Sequence, residues 1–449
     1  MPDLIKVAKF GGTSMADLTA MKRCASIVSS DPDKKVIVVS ATSGTTNLLT
    51  ELCTEESVET RVEIVSQIKE KHLAICKQFG NPKTLLDEVT ALLSELEAIA
   101  SRKQIMTKML RDEILSFGER LSSRIFSEVL KVDSGDDIQW LDARTVIKTD
   151  NHYGSAEPDI DEIGKASSEI LQPLLKDARV VTQGFIGSDS KGTTTTLGRG
   201  GSDYSAALFA EAVDADVLEI WTDVTAIYTT DPRIAPDARP ITEISFDEAA
   251  ELSVFGAKVL HPATVVPAIR KNIRVYVGSS IHPEKPGTWI VRDTKEKPVI
   301  RAISLRRRQT LVKVHSLDML HRYGFLAKLF QVLGDHKISV DLVTTSEVSV
   351  ALTLDSDINN PGQPMLGEEV LEELQKFSEV EIIKDLSLVA LVGNNLNQTA
   401  GLSGPIFGSL LDVNIHLICH GASSYNLCFL VAEEDAENVV QVLHKQFIK

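Results

Sequence analysis

Six charged side chains stand beside loops rich in Gly, Ser and Thr: Lys9, Arg199, Asp203, Asp223, Arg233 and Lys258. Lys9-Phe10-Gly11-Gly12-Thr13-Ser14 closes an apolar run, and 193–205 reads Thr-Thr-Thr-Thr-Leu-Gly-Arg-Gly-Gly-Ser-Asp-Tyr-Ser ahead of a helical pattern. Glycines let backbone N–H groups approach an anion, and a helix start adds partial positive charge. The guanidinium of Arg199 offers a fork that fits a carboxylate or a phosphate. This set suits phosphoryl transfer, which needs positioning and charge neutralisation more than covalent catalysis. Two familiar nucleotide motifs are absent: Gly164-Lys165 continues to Ala166, so there is no Walker A sequence, and no GxGxxG joins a strand to a helix. The competing reading of 193–205 is a long hairpin or a strand-to-helix loop capped by Ser202.

Strands are predicted over 5–10, 35–40, 138–142, 180–187, 217–224 and 274–279. Helices are predicted over 15–29, most of 51–132, and 206–213. Alternating strands and helices imply an α/β domain with a mainly parallel sheet. The first two strands end in small polar loops, and in open α/β sheets ligands bind at the carboxyl ends of strands. Within 51–132, Leu110, Ile114, Phe117, Leu121, Ile125 and Val129 form one apolar stripe. Glu119 lies off that stripe, so the pattern makes it a solvated helix charge, although Ser116, Gly118, Ser122 and Ser123 around it would admit a ligand. Asp231-Pro232 and His261-Pro262 are explained by turn chemistry, while Lys258 beside Gly256 could contact phosphate.

The stretch 283–298 holds Pro283, Pro286 and Pro298 and reads as a domain linker. Beyond it lies an internal repeat at an offset of 77 residues, in which Phe330 to Ile338 falls without gaps on Phe407 to Ile415. Each copy reads helix, strand, Ser-containing turn, strand, with a further helix over 367–377 and 436–447. These are tandem βαββαβ units. The second copy has no final strand of its own, and 299–307 can supply it.

Composition narrows the function. The 449 residues have a formal net charge of -16, with no evident basic face, which disfavours nucleic acid. The five cysteines form no CxxC pair, so reduced cytoplasmic thiols are expected. The ten histidines form no HExxH, so structural zinc is not expected. No signal-peptide pattern and no membrane-spanning run are present.

Four segments together resemble the aspartokinases. Lys9 to Ser14 is similar to their opening signature, Thr196 to Asp203 to their substrate and phosphate loop, and Phe255 to Pro262 to their nucleotide-side segment. The tandem repeat is similar to their paired ACT regulatory domains, and the chain ends after the second, without the homoserine dehydrogenase domain of bifunctional relatives. Segments 319–326 and 339–347 resemble the monofunctional, lysine-inhibited type. The resemblance implies an amino-acid kinase three-layer sandwich over 1–292, a linker and completing strand over 293–308, and ACT domains over 309–385 and 386–449. It implies ATP with Mg²⁺, phosphorylation of the β-carboxylate of L-aspartate, inhibition by L-lysine, and a cytoplasmic homodimer joined through the ACT domains.

By the same resemblance Lys9 and Asp203 are the catalytic pair, and Ser40, Thr46, Glu119, Arg199 and Ser202 contact aspartate. Gly11, Gly12, Thr222, Asp223, Tyr228, Arg233 and Lys258 join Lys9 around ATP. Met319, Phe325, Leu326, Ser339, Val340, Asp341, Thr345 and Ser346 would bind lysine. The chemistry agrees: an α-ammonium wants a carboxylate such as Glu119, and an α-carboxylate wants a bidentate Arg such as Arg199. A β-carboxylate with a pKa of about 4 needs no general base. Mg²⁺ would bridge the phosphates with mostly water ligands, so no protein ligand is named. The alternatives are a kinase of glutamate or N-acetylglutamate, an inactive amino-acid sensor, and a structural protein.

Overall fold

The computed structural model describes residues 4–80, 82–102, 105–256, 262–320, 323–355 and 366–448. The chain divides into two compact units, one of Met1–Ile227, Ile241–Phe246 and Lys258–Thr294, the other of Tyr228–Pro240, Asp247–Ala257 and Lys295–Lys449.

Among the described residues the first unit is built on ten strands: β1 (Lys6–Phe10), β2 (Lys34–Val39), β3 (Ile138–Leu141), β4 (Arg179–Gln183), β5 (Ile186–Ser188), β6 (Thr194–Thr196), β7 (Val217–Thr222), β8 (Glu243–Ser245), β9 (Arg274–Ser279) and β10 (Thr288–Val291). Eight of them form one sheet in the order β3-β4-β2-β1-β7-β9-β10-β8, and only the β9–β10 pair is antiparallel. β1 lies at the centre, with β2 and β7 as neighbours. The β-branched run Val36-Ile37-Val38-Val39 is fully buried, as expected where helices cover both faces. Those helices are α1 (Leu18–Ser29), α2 (Thr45–Thr54), α3 (Val58–Gln78), α4 (Lys83–Ala100), α5 (Lys108–Ser134), α6 (Ile160–Ala166), α7 (Gln172–Leu174), α8 (Gly201–Ala212), the start of α9 (Phe246–Val254), and α10 (Pro262–Lys271). One core joins α1 through α5 to β1 and β2, with Phe10, Met21, Ile68, Leu93, Phe117 and Phe126 at its centre.

Two expectations about this unit need correction. The run 180–187 is two strands, not one. The chain turns at Gly184-Phe185, where Phe185 takes a φ of 69°. β5 then leaves the main sheet and pairs with β6 as a hairpin, so the competing hairpin reading holds for the start of 193–205. The Pro-rich stretch 283–298 is also more than a linker, since it contains β10. Thr288, Trp289 and Ile290 pair with β9, and Thr288 Oγ1 donates to Ile241 O at 2.6 Å.

The second unit holds one six-stranded antiparallel sheet. Its strands are β11 (Ala302–His315), β12 (Val343–Thr345), β13 (Ser349–Asp355), β14 (Glu379–Val392), β15 (Leu417–His420) and β16 (Asn426–Ala432), in the order β12-β13-β11-β14-β16-β15. Its helices are α11 (Phe325–Asp335), α12 (Glu368–Gln375), α13 (Ser403–Gly408) and α14 (Ala436–Phe447). The two repeats share the long central strands. The C-terminal half of β11 pairs with β13, the C-terminal half of β14 pairs with β16, and Ala302 to Arg306 lie against Val392 to Leu388. Strand register shifts near Arg308 and Asp385, both at positive φ, separate the halves.

The second unit also takes Tyr228–Pro240 and Asp247–Ala257, which an uninterrupted division at residue 292 would place in the first. The reason is a set of polar ties. Thr229 Oγ1 bonds His444 Nε2 at 2.8 Å, and Ile303 N–H donates to Thr229 O at 2.8 Å. Glu248, fully buried, accepts from Arg301 at 2.6 Å and from Asn394 at 2.7 Å. Glu251 accepts from Ser423 at 2.6 Å and from Asn426 at 2.7 Å.

Candidate active site

Lys9 sits near the carboxyl end of the central strand and is only 8% exposed. Burying an ammonium is costly unless it is paired. Asp203, in the first turn of α8, pairs with it at 2.5 Å. The helix begins there because Gly200 adopts a φ of 73°, a left-handed cap that glycine takes without strain. The cap is therefore Gly200 and not Ser202, which falls inside the first turn. A carboxylate in the first turn is also favoured by the helix dipole.

Glu119 is the largest departure from the sequence pattern. It is 4% exposed, and every residue from Ser116 to Ser123 is buried. At this level α5 is enclosed on all sides, so the helix period says little about which face is wet. The small residues around Glu119 were the available signal. A Cβ added to Gly118 would lie 2.8 Å from the Ala41 methyl, so glycine is what lets α5 reach the loop after β2. Across that contact the Ala41 N–H donates to Glu119 Oε1 at 3.1 Å. Among the described residues Oε2 is buried with no hydrogen-bond partner. Burial pushes the carboxyl up to about 8, while the Ala41 N–H and the nearby Lys9 ammonium pull it back toward ionisation.

The close approach at Gly118 gives a simple expectation. Gly118→Ala gains roughly 1 kcal/mol of helix propensity but overpacks the contact at a cost of about 1–3 kcal/mol. A thermal melt should therefore show a lower Tm, and a raised Tm would mean the contact is slack.

The other predicted site residues fall into three groups. Thr46 is exposed in the first turn of α2, and Ser40 lies at the end of β2, its N–H donating to Phe10 O at 3.1 Å. Arg199 is exposed and has no ion-pair partner among the described residues. On the nucleotide side, Gly11 N–H donates to Trp221 O at 3.2 Å, Gly12 opens the following turn, and Thr222 Oγ1 donates to the exposed Asp223 at 3.1 Å. Tyr228 and Arg233 belong to the second unit, where Asp231 already holds the Arg233 fork at 2.6 Å. Lys258, like His261, lies outside the described residues.

A positioning group ahead of the Arg199 loop escaped the sequence reading. Asp112, two turns before Glu119 on α5, is fully buried. Its Oδ2 accepts from the Gly154 and Thr196 N–H groups, and its Oδ1 from the Thr196 hydroxyl, each at 2.9 Å. It thus anchors the end of β6, directly ahead of Gly198-Arg199-Gly200. A single Asp in a helical pattern gives no warning of this.

The sequence profile of the amino acid kinase family matches residues 5–279, and that of the ACT domain matches 389–447. The chain is 48% identical to the lysine-sensitive aspartokinase 3 of Escherichia coli over 99% of both chains. The chain belongs to the aspartokinases. Its fold agrees with crystal structures of Escherichia coli aspartokinase III, one with aspartate and ADP and described as the R-state, the other with lysine and aspartate and described as the T-state. Each has a TM-score of 0.88 at 48% identity, covering 99% of this chain and 100% of the other.

In this aspartokinase the predicted effector residues lie in the second unit. Gly324, at a φ of 84°, caps α11, and the helix starts at Phe325 and Leu326. Met319, Phe325 and Val340 pack on one apolar core with Val312, Leu329 and Leu352. Asp341 lies just ahead of β12, which begins at Val343. Its carboxylate lies 3.3 Å from Arg306. Ser339 and Thr345 are exposed, and Ser346 pairs through its backbone with Ser349 O at 2.8 Å. His321 and Arg322 lie outside the described residues. Among the described residues no helix is long and apolar enough to cross a membrane, and all five cysteines are free thiols.

Proposed function

We propose that this aspartokinase transfers the γ-phosphoryl group of ATP to the β-carboxylate of L-aspartate, giving 4-phospho-L-aspartate and ADP, and that L-lysine inhibits it through the first ACT unit. The observation that carries the reading is the buried Glu119 Oε2, without a hydrogen-bond partner among the described residues, near the Lys9 ammonium of the Lys9–Asp203 pair. A carboxylate oxygen shielded from water is suited to an ammonium group, and the substrate's α-ammonium supplies one. Arg199, exposed and unpaired among the described residues, is suited to the α-carboxylate. The same Arg would have no reason to discriminate between aspartate and glutamate, so length selection falls to the distance between Glu119 and Lys9.

In this mechanism Lys9 neutralises charge gathering on the transferring phosphoryl oxygens. Asp203 keeps the ammonium aimed, at 2.5 Å, and the fixed pair needs no reorganisation during the reaction. The attacking β-carboxylate is already ionised at neutral pH, so no base is required. Gly11 and Gly12 border the phosphates by resemblance; the Gly11 N–H is held by Trp221 O, so what Gly11 offers is the close approach that a missing side chain allows. Asp223, an exposed hard oxygen donor just after β7, would suit Mg²⁺. When bound, Mg²⁺ adds positive charge to the phosphates. We place Tyr228, Arg233 and Lys258 on the nucleotide side by resemblance. The reduced thiols accord with a cytoplasmic enzyme, and we place the homodimer contact at the ACT units by resemblance.

Lysine inhibition requires that the effector bind the inactive arrangement better than the active one. The Escherichia coli relative, solved with lysine and aspartate in its T-state, supports this. In this chain Asp341 would hold the effector's ammonium, which means competing with Arg306 for the carboxylate. Asp341→Ala should leave aspartate phosphorylation nearly intact and raise the lysine needed for half-inhibition by an order of magnitude or more, as expected for losing over ~1.4 kcal/mol. Superimposable lysine titrations of the two proteins would remove Asp341 from the effector site. The function itself is tested by ADP release from ATP with aspartate, glutamate or N-acetylglutamate, each with and without lysine. Turnover with aspartate alone, suppressed by lysine, is expected. Turnover with N-acetylglutamate, whose nitrogen carries no charge, would contradict the role given to Glu119.

A further inference from the structure

The loop after β2 and the first turn of α2, Ala41 to Thr46, carry both the N–H that holds Glu119 and the exposed Thr46. Its own anchor lies on α3. His72 is completely buried there, and the sequence pattern gave it no role. Its Nδ1 lies 2.7 Å from Ile68 O, one helical turn back. A carbonyl oxygen can only accept, so Nδ1 carries the proton. In the neutral ring Nε2 must then accept, and the atom it faces is Thr42 Oγ1 at 3.1 Å. With its proton committed to the imidazole, Thr42 Oγ1 accepts in turn from Thr45 Oγ1 at 2.5 Å. Thr42 and Thr45 are 1% and 0% exposed, so water does not compete for these hydroxyls.

The ring's surroundings keep it neutral. Burial pulls the imidazole down to about 4, and the Lys71 ammonium beside it acts in the same direction. Lys71 also donates to Ser43 O, so two consecutive residues of α3 hold the loop. The direction of every hydrogen bond, from Ile68 O out to Thr45, is therefore fixed by one backbone carbonyl.

We propose that His72 is a positioning residue for aspartate: as a neutral hydrogen-bond acceptor it locks Thr42 and Thr45, and through them sets the Ala41 N–H against Glu119 and Thr46 toward the substrate. The inference rests on the assignment of Glu119 and Thr46 to the aspartate site. It goes further by assigning the second-layer group and its protonation form. The chain of contacts ends on Glu119 and Thr46, both given to aspartate, so the main effect is expected on aspartate binding rather than on ATP binding.

The two ring nitrogens can be tested separately. Asn at position 72 places an amide near Nδ1 and leaves Thr42 without its acceptor. Gln places its amide oxygen near Nε2 and restores that acceptor. Steady-state kinetics of the full-length enzyme should show that His72→Asn raises the aspartate KM roughly tenfold, the effect of one buried hydrogen bond lost. The ATP KM and kcat should stay within about twofold of the parent. His72→Gln should restore the aspartate KM to within about threefold of the parent. Thr42→Val, which removes the hydroxyl at constant volume and leaves α3 untouched, should match His72→Asn, and the double variant should be no worse than either single one. Should His72→Asn fail to fold, Thr42→Val and His72→Gln still decide the matter. Equal effects of Asn and Gln, an ATP KM that rises with the aspartate KM, or a normal aspartate KM in Thr42→Val would each overturn the proposal. A parent enzyme that does not turn over aspartate would instead overturn the functional reading beneath it.

Discussion

Lys9→Ala should lower kcat by roughly 10²–10³-fold, the usual loss when one preorganised group is removed from a developing charge. The aspartate KM should change far less, because Glu119 and Arg199 remain. Asp203 would then sit partly buried without its cation, so the variant should also melt at a lower temperature. Asp203→Asn, which keeps the shape and removes the charge, should lower kcat as well while leaving Lys9 in place. Pre-steady-state measurement of ADP formation separates this loss of chemistry from slowed product release. A correctly folded Lys9→Ala enzyme with near-normal kcat would remove the pair from the catalytic step.

Glu119→Gln should raise the aspartate KM by roughly 30- to several-thousand-fold, since losing one partner of a buried charged pair costs about 2–5 kcal/mol. The ATP KM should hardly move. The same variant should be more stable than the parent at pH 8. The Glu119 carboxyl is raised by burial from 4.5 to about 8 in the folded chain. Between those values the unfolded chain has released the proton and the folded chain keeps it, so Glu119 favours folding less and less as pH rises through this window. Gln never ionises and escapes the cost, which is on the order of a few kcal/mol above pH 8. A residue that weakens the empty enzyme and strengthens its complex is hard to explain except as part of a binding site. An unchanged aspartate KM in Glu119→Gln would return the residue to a structural role.

The sequence was informative where local chemistry and local structure coincide. Gly-rich loops at strand ends bring Lys9 and the 198–203 loop together because β1 and α8 are each specified by their own patterns, an apolar strand and a capped helix. The gapless repeat exposed the tandem regulatory units, since a shift of 77 residues superimposes core positions of β13 on those of β16. Legibility failed where tertiary context overrides the local pattern. Glu119 reads as a wet helix charge only if α5 has one wet face, and at Gly118 it has none. Asp112 and His72 act through hydrogen bonds to residues 84 and 30 positions away, beyond any local window. The segment Tyr228–Pro240 follows β7 in the chain, yet Thr229, Ile234 and their partners His444 and Gln441 tie it to the second unit. No spacing rule announces such a crossing. β10 was hidden because its neighbours Pro283, Pro286 and Pro298 suggested a linker, while the strand itself is only four residues long.

The central claim is that Glu119 is a neutral carboxyl in the free enzyme and ionises to hold the α-ammonium of aspartate. If so, aspartate affinity should rise about tenfold per pH unit from pH 6 to pH 8 and then level off, because binding releases a proton wherever the free carboxyl still holds one. The direct measurement is calorimetric titration of the enzyme with aspartate at pH 7 in buffers of different ionisation enthalpy, which counts protons exchanged on binding. With a free-enzyme pKa of about 8, close to one proton should leave per aspartate bound, falling toward zero above pH 9 and absent in Glu119→Gln. Aspartate binding at pH 7 with no net proton release would contradict the account.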